Sequence, residues 1–249
     1  MRNNEYKNIL THESAHFFYQ ANNRYFLRLV ERYIQPSTGK NILEAGCGTG
    51  YLGLMLSKKY RVTAVDANKT AVTIAQGRGI EAQEASVNEL PHNDNSFEGI
   101  VCIDVLYHQN VIPQLAVAEF WRVLKPSGYL ILRVAAHEWL RTSHDLEVQT
   151  KHRFEKGEVK RLLEEAGFTI IMNRYMNSFL LVPLYLKKVI GSRTSQSHIS
   201  SLNPLLNRVL AAIAYVEHLV GERVSMPDGI GILAVAQKPF PKNKRVKQK

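Results

Sequence analysis

A short apolar run, 41–45, leads without a break into Gly46-Cys-Gly48-Thr-Gly50, and residues 51–59 then take up a helical pattern. A glycine-rich turn between a strand and a helix narrows the choice of fold more than any other feature of this chain. Glycine lets backbone N–H groups approach a ligand with no Cβ in the way. The first N–H groups of the following helix have no partner within it and are free to bind. A turn of this kind belongs at the carboxyl end of a strand in an open α/β sheet.

The rest of the sequence repeats the alternation. Strand patterns recur at 61–65, 79–83, 99–104, 129–134, 168–174 and 230–237, and helical ones at 22–34, 70–76, 113–124 and 158–166. The expected fold class is therefore α/β: a Rossmann-like, seven-stranded, doubly wound sheet with a helical insertion between the last two strands. The insertion, 175–229, is too long to be structureless, and 202–220 within it is helical in pattern. A chain of 249 residues suits one domain. It divides into an N-terminal helical segment (1–40), a core (41–174 and 230–237), a cap (175–229) and a basic tail (238–249).

The glycines admit two registers. Gly48-Thr-Gly50-Tyr-Leu-Gly53 fits the dinucleotide pattern G-x-G-x-x-G. Two details favour the other register. The strand runs directly into Gly46, and Glu44 just before it suits an α-amino group better than a pyrophosphate. Asp66 ends the second strand, where a carboxylate can accept both hydroxyls of a ribose. That would serve NAD and S-adenosylmethionine alike. Asp66-Ala-Asn68 also reads as a turn and helix start.

Motifs further along the chain carry a resemblance. The stretch from Asn41 to Gly50 is similar to the first motif of class I S-adenosylmethionine-dependent methyltransferases. Glu89-Leu-Pro91, Asn95-Ser-Phe97-Glu98, Asp104-Val-Leu-Tyr107-His108, Arg122-Val-Leu-Lys-Pro-Ser-Gly128 and Glu165-Ala-Gly-Phe168 resemble later motifs of the same family. Tyr107 stands where that family usually has Glu, and Ser127 where it has Gly. A narrower group within it has an H-W-W-F-like start, here His16-Phe-Phe-Tyr19, and an H-D stretch after the fifth strand, here His144-Asp145. This chain departs from that group at Asn22, Thr150 and His152.

The resemblance implies S-adenosylmethionine as cofactor. It implies that Glu44, Gly46, Cys47 and Gly48 hold the methionine end, Asp66 and Ala67 the ribose, and Ser86 and Val87 the adenine. Cys102 and Ile103, with Asp104, would run beside the sulfonium. The cofactor carries the electrophile, so the protein must align an acceptor lone pair and, where needed, remove a proton. His108, just past the fourth strand, is the candidate base. His16, Tyr19, Tyr107, His144 and His152 are candidate acceptor contacts. No metal is expected, since no ligand cluster has suitable spacing.

The expected activity is methylation of a small molecule, a glycan or a lipid-linked precursor, with O-methylation as the expected chemistry. The insertion is rich in apolar residues from Phe179 to Leu186 and carries Lys187, Lys188, Arg193 and Arg208, which suits core or contact with a membrane surface. An RNA or protein methyltransferase is the alternative, favoured by the tail. Of the net charge of +10, six charges lie at Lys238, Lys242, Lys244, Arg245, Lys247 and Lys249. Against nucleic acid as partner, Asp104-Val-Leu-Tyr107 is not the N-P-P-Y type of sequence that holds a planar amine. A third reading is a cofactor-binding protein without catalysis. Two cysteines, Cys47 and Cys102, and the polar start at 1–16 give a cytoplasmic expectation with no signal peptide.

Overall fold

The computed structural model describes residues 3–189 and 202–240. Seven strands form one sheet: β1 (Asn41–Ala45), β2 (Arg61–Asp66), β3 (Glu81–Glu84), β4 (Phe97–Ile103), β5 (Leu124–Ala135), β6 (Thr169–Met176) and β7 (Gly231–Gln237). The helices are α1 (Asn3–His12), α2 (Phe17–Tyr33), α3 (Tyr51–Leu56), α4 (Lys69–Gly77), α5 (Pro113–Val123), α6 (Ser143–Glu147), α7 (Lys156–Glu165), α8 (Leu181–Val189) and α9 (Pro204–Gly221). The strand order is β3-β2-β1-β4-β5-β7-β6. Strands β1 to β5 pair in parallel, while β7 pairs antiparallel with both β5 and β6.

Alternation along the strands divides the core in two. Leu43, Ala45, Ile100 and Cys102 pack with α5 and α7 on one face. Ile42, Val62, Val101 and Leu233 pack with Tyr25, Phe26 and Leu29 of α2 on the other. Burying a large apolar side chain contributes roughly 1.5–3 kcal/mol, so period-two patterning fixes which face each strand residue takes.

The order reverses at β1, whose neighbours are β2 and β4. Crossovers leave this point in opposite directions, which opens a crevice at the carboxyl ends of the two strands. The glycine turn follows β1 into that crevice. Because β7 is antiparallel to both neighbours, β6 runs with β1 to β5 and ends on the same side of the sheet. The connection from β6 to β7 therefore emerges on the side of the glycine turn. Its described parts include a short 3-10 turn (Ser178–Leu180), α8 and α9. Helix α9 lies along α2: Asn207 accepts from the Phe17 N–H at 2.8 Å, and Phe17 and Phe179 meet edge to face.

Of the two readings of the insertion's apolar residues, core or contact with a membrane surface, many do not join the core: Val182 is 66% exposed, Leu205 is 71% exposed, and Tyr185, Leu186, Val209, Ile213 and Val216 also face outward. Inward, α9 presents Ala214, His218 and Gly221. Small and polar residues stand there because β6 sends a buried arginine, Arg174, against them. Arg193 and the tail lysines and arginine from 242 onward lie outside the described residues, as do the side chains of Lys187 and Lys188.

Candidate active site

The turn after β1 is held by Val65, whose carbonyl accepts from the N–H groups of both Gly46 and Cys47 at 2.8 and 2.9 Å. Gly46 has φ 81°, and a Cβ there would drive into the Val105 side chain. Gly50, with φ 72°, lets Ala75 of α4 come close; a Cβ would lie 2.8 Å from it. These two glycines allow the ends of β1 and β4, and the start of α3, to converge.

Asp66 closes the turn from the β2 side. It accepts from the Gly48 N–H at 2.9 Å and from the Asn68 N–H at 2.9 Å. The turn reading of Asp66-Ala-Asn68 thus holds as a local fact: Asn68 caps α4 by accepting from Thr70. Burial raises the Asp66 carboxyl above its ordinary value despite these bonds. Ala67 is exposed beside it, and Ser86 and the buried Val87 follow β3 at the next strand end.

Glu44 lies beneath the turn. One oxygen accepts from the Gly53 N–H at 3.2 Å, and the other is buried without a partner. Burial pushes its carboxyl up to about 8; the Gly53 N–H and Arg78 oppose the rise, while Asp66 and Glu13 add to it. A consequence for stability follows. In the unfolded chain Glu44 loses its proton near its ordinary value of 4.5. Between that pH and about 8 the unfolded state releases a proton that the folded state keeps. Stability contributed by the protonated group is thus complete below 4.5 and falls until pH passes 8. Each unit of difference corresponds to about 1.4 kcal/mol. Urea unfolding at pH 5 and pH 8 should show the wild type losing several kcal/mol more (on that order-of-magnitude scale) than Glu44→Gln. Equal losses would contradict this.

A feature that sequence reasoning missed is α1. Tyr6 hydrogen-bonds the Asp66 carboxylate and is buried. Glu13, also buried, bonds the Thr49 hydroxyl and pairs with Arg78. The N-terminal segment thus lies directly over the glycine turn. The polar sequence at 1–16 gave no sign of this; Glu13 alone could have prompted the question.

At the end of β4, Cys102 points into the core on the α5 side, and burial pushes its thiol up. Ile103 packs toward α2. Asp104 has φ 62° and pairs with Arg133 of β5, leaving its other oxygen buried and unpartnered. Tyr19 and Tyr107 both feel the Asp104 charge, and burial foremost raises both hydroxyls. The His108 ring lies tilted against Tyr107, with ring centres 4.7 Å apart. Burial lowers its imidazole below the ordinary value, and its Nδ1 has no partner. Thr150 bridges to His108, so the segment after β5 closes against this loop.

The other candidates are arranged differently. His16 is the N-cap of α2, accepting from the Phe18 N–H, and stacks on Phe17. His144 sits on α6, where Asp145 pairs with Arg153 at 2.9 Å. His152 turns outward to Glu158 at 2.8 Å with nearly half its side chain exposed. Its place in the sequence motif suggested an acceptor contact; the Glu158 carboxylate on α7 draws it to the surface instead. Among the described residues no group of three or more His, Cys, Asp or Glu could hold a metal ion, and no helix is long and apolar enough to cross a membrane.

Comparison with known proteins agrees with this architecture. Residues 43–132 match the family model described as a methyltransferase domain. The uncharacterized methyltransferase YodH of Bacillus subtilis is 32% identical over 156 residues, 59% of each chain. The O-methyltransferase cnsE of Penicillium expansum is 29% identical over 55% of each chain. The human protein named probable tRNA methyltransferase 9B is 30% identical over 60% of this chain and 33% of its own. The matched region thus spans little more than half the length of the first two relatives. A solved S-adenosylmethionine-dependent methyltransferase of Thermotoga maritima shares the fold at 18% identity, with a TM-score of 0.61 over 94% of this chain and 95% of its own. The glycine turn and strand order are thus those of the class I S-adenosylmethionine-dependent methyltransferase fold, and residues 43–132 are similar in sequence to that family's methyltransferase domain.

Proposed function

We propose that this chain transfers a methyl group from S-adenosylmethionine to an oxygen of a small-molecule, glycan or lipid-linked acceptor held between the sheet and α2 with α9. The observation that carries this reading is the polar group at the end of β4. Asp104, Arg133, Tyr19, Tyr107 and His108 gather there beside the glycine turn.

The residues present suit the cofactor. The unpartnered, buried Glu44 oxygen suits a cationic amino group, and Gly46, Cys47 and Gly48 would hold the methionine end, with open space at Gly48. Asp66 and Ala67 would take the ribose, Ser86 and Val87 the adenine, and Cys102 and Ile103 would flank the sulfonium. When bound, the cofactor supplies the methyl group as an electrophile. His108, kept neutral by burial, would accept the proton of the acceptor hydroxyl as its oxygen attacks. Tyr19 and Tyr107, whose hydroxyls stay protonated, would donate hydrogen bonds that orient the acceptor.

The outward apolar faces of α8 and α9 favour a lipid-linked acceptor reached from a bilayer surface. Arg208 and Arg223 are exposed near the two ends of α9, and the net charge of +10 suits anionic headgroups. RNA remains the second reading, supported by that same charge and by the tRNA methyltransferase relative. The two separate in one assay. With methyl-labelled cofactor and a fractionated cell extract, label should enter the small-molecule or lipid fraction. Label confined to RNA or protein would overturn the acceptor class.

A further inference from the structure

Among the described residues one buried cation, Arg174, has no carboxylate partner. Arg174 on β6 is buried, and its guanidinium meets the Tyr25 hydroxyl, the face of the Tyr25 ring and, at 3.4 Å, the His218 carbonyl. Its Nε and Nη1 have no hydrogen-bond partner. No carboxylate pairs with it among the described residues. The acids of α9 are engaged elsewhere: Glu217 accepts from the Ser178 and Phe179 N–H groups, and Glu222 pairs with Arg28 and Arg32. An unpaired buried cation is costly, and buried charges are ordinarily matched.

Arg174 also stands in line with the site at the end of β4. It pairs across the sheet with Leu233, Leu233 with Arg133, and Arg133 with Ile103. Paired residues share a face, and strands lie about 4.8 Å apart. The two arginine Cα atoms are therefore roughly 10 Å apart on the face covered by α2 and α9. The surrounding sequence makes room for both guanidinium groups. A Cβ at Gly221 would lie 2.7 Å from Nη1 of Arg174, and one at Gly231 would lie 2.8 Å from Nη2 of Arg133.

Two further buried polar atoms nearby have no partner: Nε of Arg133 and Nδ1 of His218. Burial, with Arg174 and Arg133 adding to it, pushes His218 down to about 3, so it adds no charge. Two guanidinium groups against the single carboxylate of Asp104 leave one positive charge over.

We propose that Arg174, with Arg133 and His218, binds an oxyanion of the methyl acceptor, a carboxylate or a phosphate, between the sheet and α9. A guanidinium fork matches either group with two parallel hydrogen bonds. That the oxyanion belongs to the acceptor rests on the methyl-transfer reading; the oxyanion itself rests on the unpartnered guanidinium nitrogens alone.

Thermal unfolding tests it, with and without S-adenosylhomocysteine, in chloride, acetate and inorganic phosphate at matched ionic strength. The wild type should melt higher in phosphate or acetate than in chloride, and which of the two acts identifies the group. Arg174→Met should lose that rise and, in chloride, melt no lower than the wild type, because an unpaired buried charge has been removed. Gly221→Ala, which presses on the guanidinium without deleting it, should weaken the oxyanion response at least about tenfold. No rise in the wild type, an equal rise in Arg174→Met, or a lower melting temperature of that variant in chloride would overturn the proposal. An oxyanion response that survives without any response to S-adenosylhomocysteine would sink the methyl-transfer reading and leave the oxyanion site standing.

Discussion

Gly46→Ala is expected to destabilise the protein by about 2–5 kcal/mol, lowering its melting temperature by roughly 5–20 °C, and to remove S-adenosylhomocysteine binding. Two costs combine. The backbone at 46 has φ 81°, a region that side chains other than glycine enter at about 1–2 kcal/mol. The new Cβ would also drive into Val105, and overpacking of that kind costs typically about 1–3 kcal/mol. Relief by moving the turn would break the paired bonds from Gly46 and Cys47 to the Val65 carbonyl. Those bonds shape the surface that would meet the cofactor, so binding falls with stability. The double variant Gly46→Ala, Val105→Ala should recover the packing part and leave the backbone part. Calorimetric unfolding of the three proteins checks this; a melting temperature unchanged in Gly46→Ala would contradict it.

His108→Gln is expected to lower kcat by about 10²–10⁴-fold while leaving S-adenosylhomocysteine affinity unchanged. Burial lowers the imidazole below its ordinary value of 6.5, so it is neutral at pH 7 and ready to accept a proton. The wild-type rate should rise with pH through that lowered value and then level off, since the protonated form cannot act as a base. The variant should lose this acidic limb. Label incorporation from methyl-labelled cofactor, measured between pH 5 and 8, reads both effects. A fall smaller than about tenfold, with the limb intact, would make His108 a packing residue of the loop against Thr150.

The parts of the site made by neighbours in sequence were legible. The run from β1 into Gly46 and the placing of Asp66 after β2 are local patterns, and right-handed crossovers convert them into one crevice. What stayed hidden depends on partners far apart in the chain. Glu13 meets Thr49 across 36 positions and Arg78 across 65. Arg174 meets Tyr25 across 149. Periodicity marks a face as apolar but does not say what lies opposite, so the insertion left core and membrane surface both open, and the apolar residues of α8 and α9 largely point out. His152, an acceptor candidate from its place after the fifth strand, pairs instead at the surface with a single carboxylate, Glu158.

The most direct test of the account is calorimetric titration of the purified chain with S-adenosylhomocysteine and, separately, with NAD. The account predicts saturable binding of S-adenosylhomocysteine at one site and no heat from NAD. It predicts that Asp66→Ala weakens that binding by about ten- to a hundredfold, the loss of one charge-assisted hydrogen bond, with the fold retained. Binding of NAD that depends on Asp66, with no response to S-adenosylhomocysteine, would contradict it.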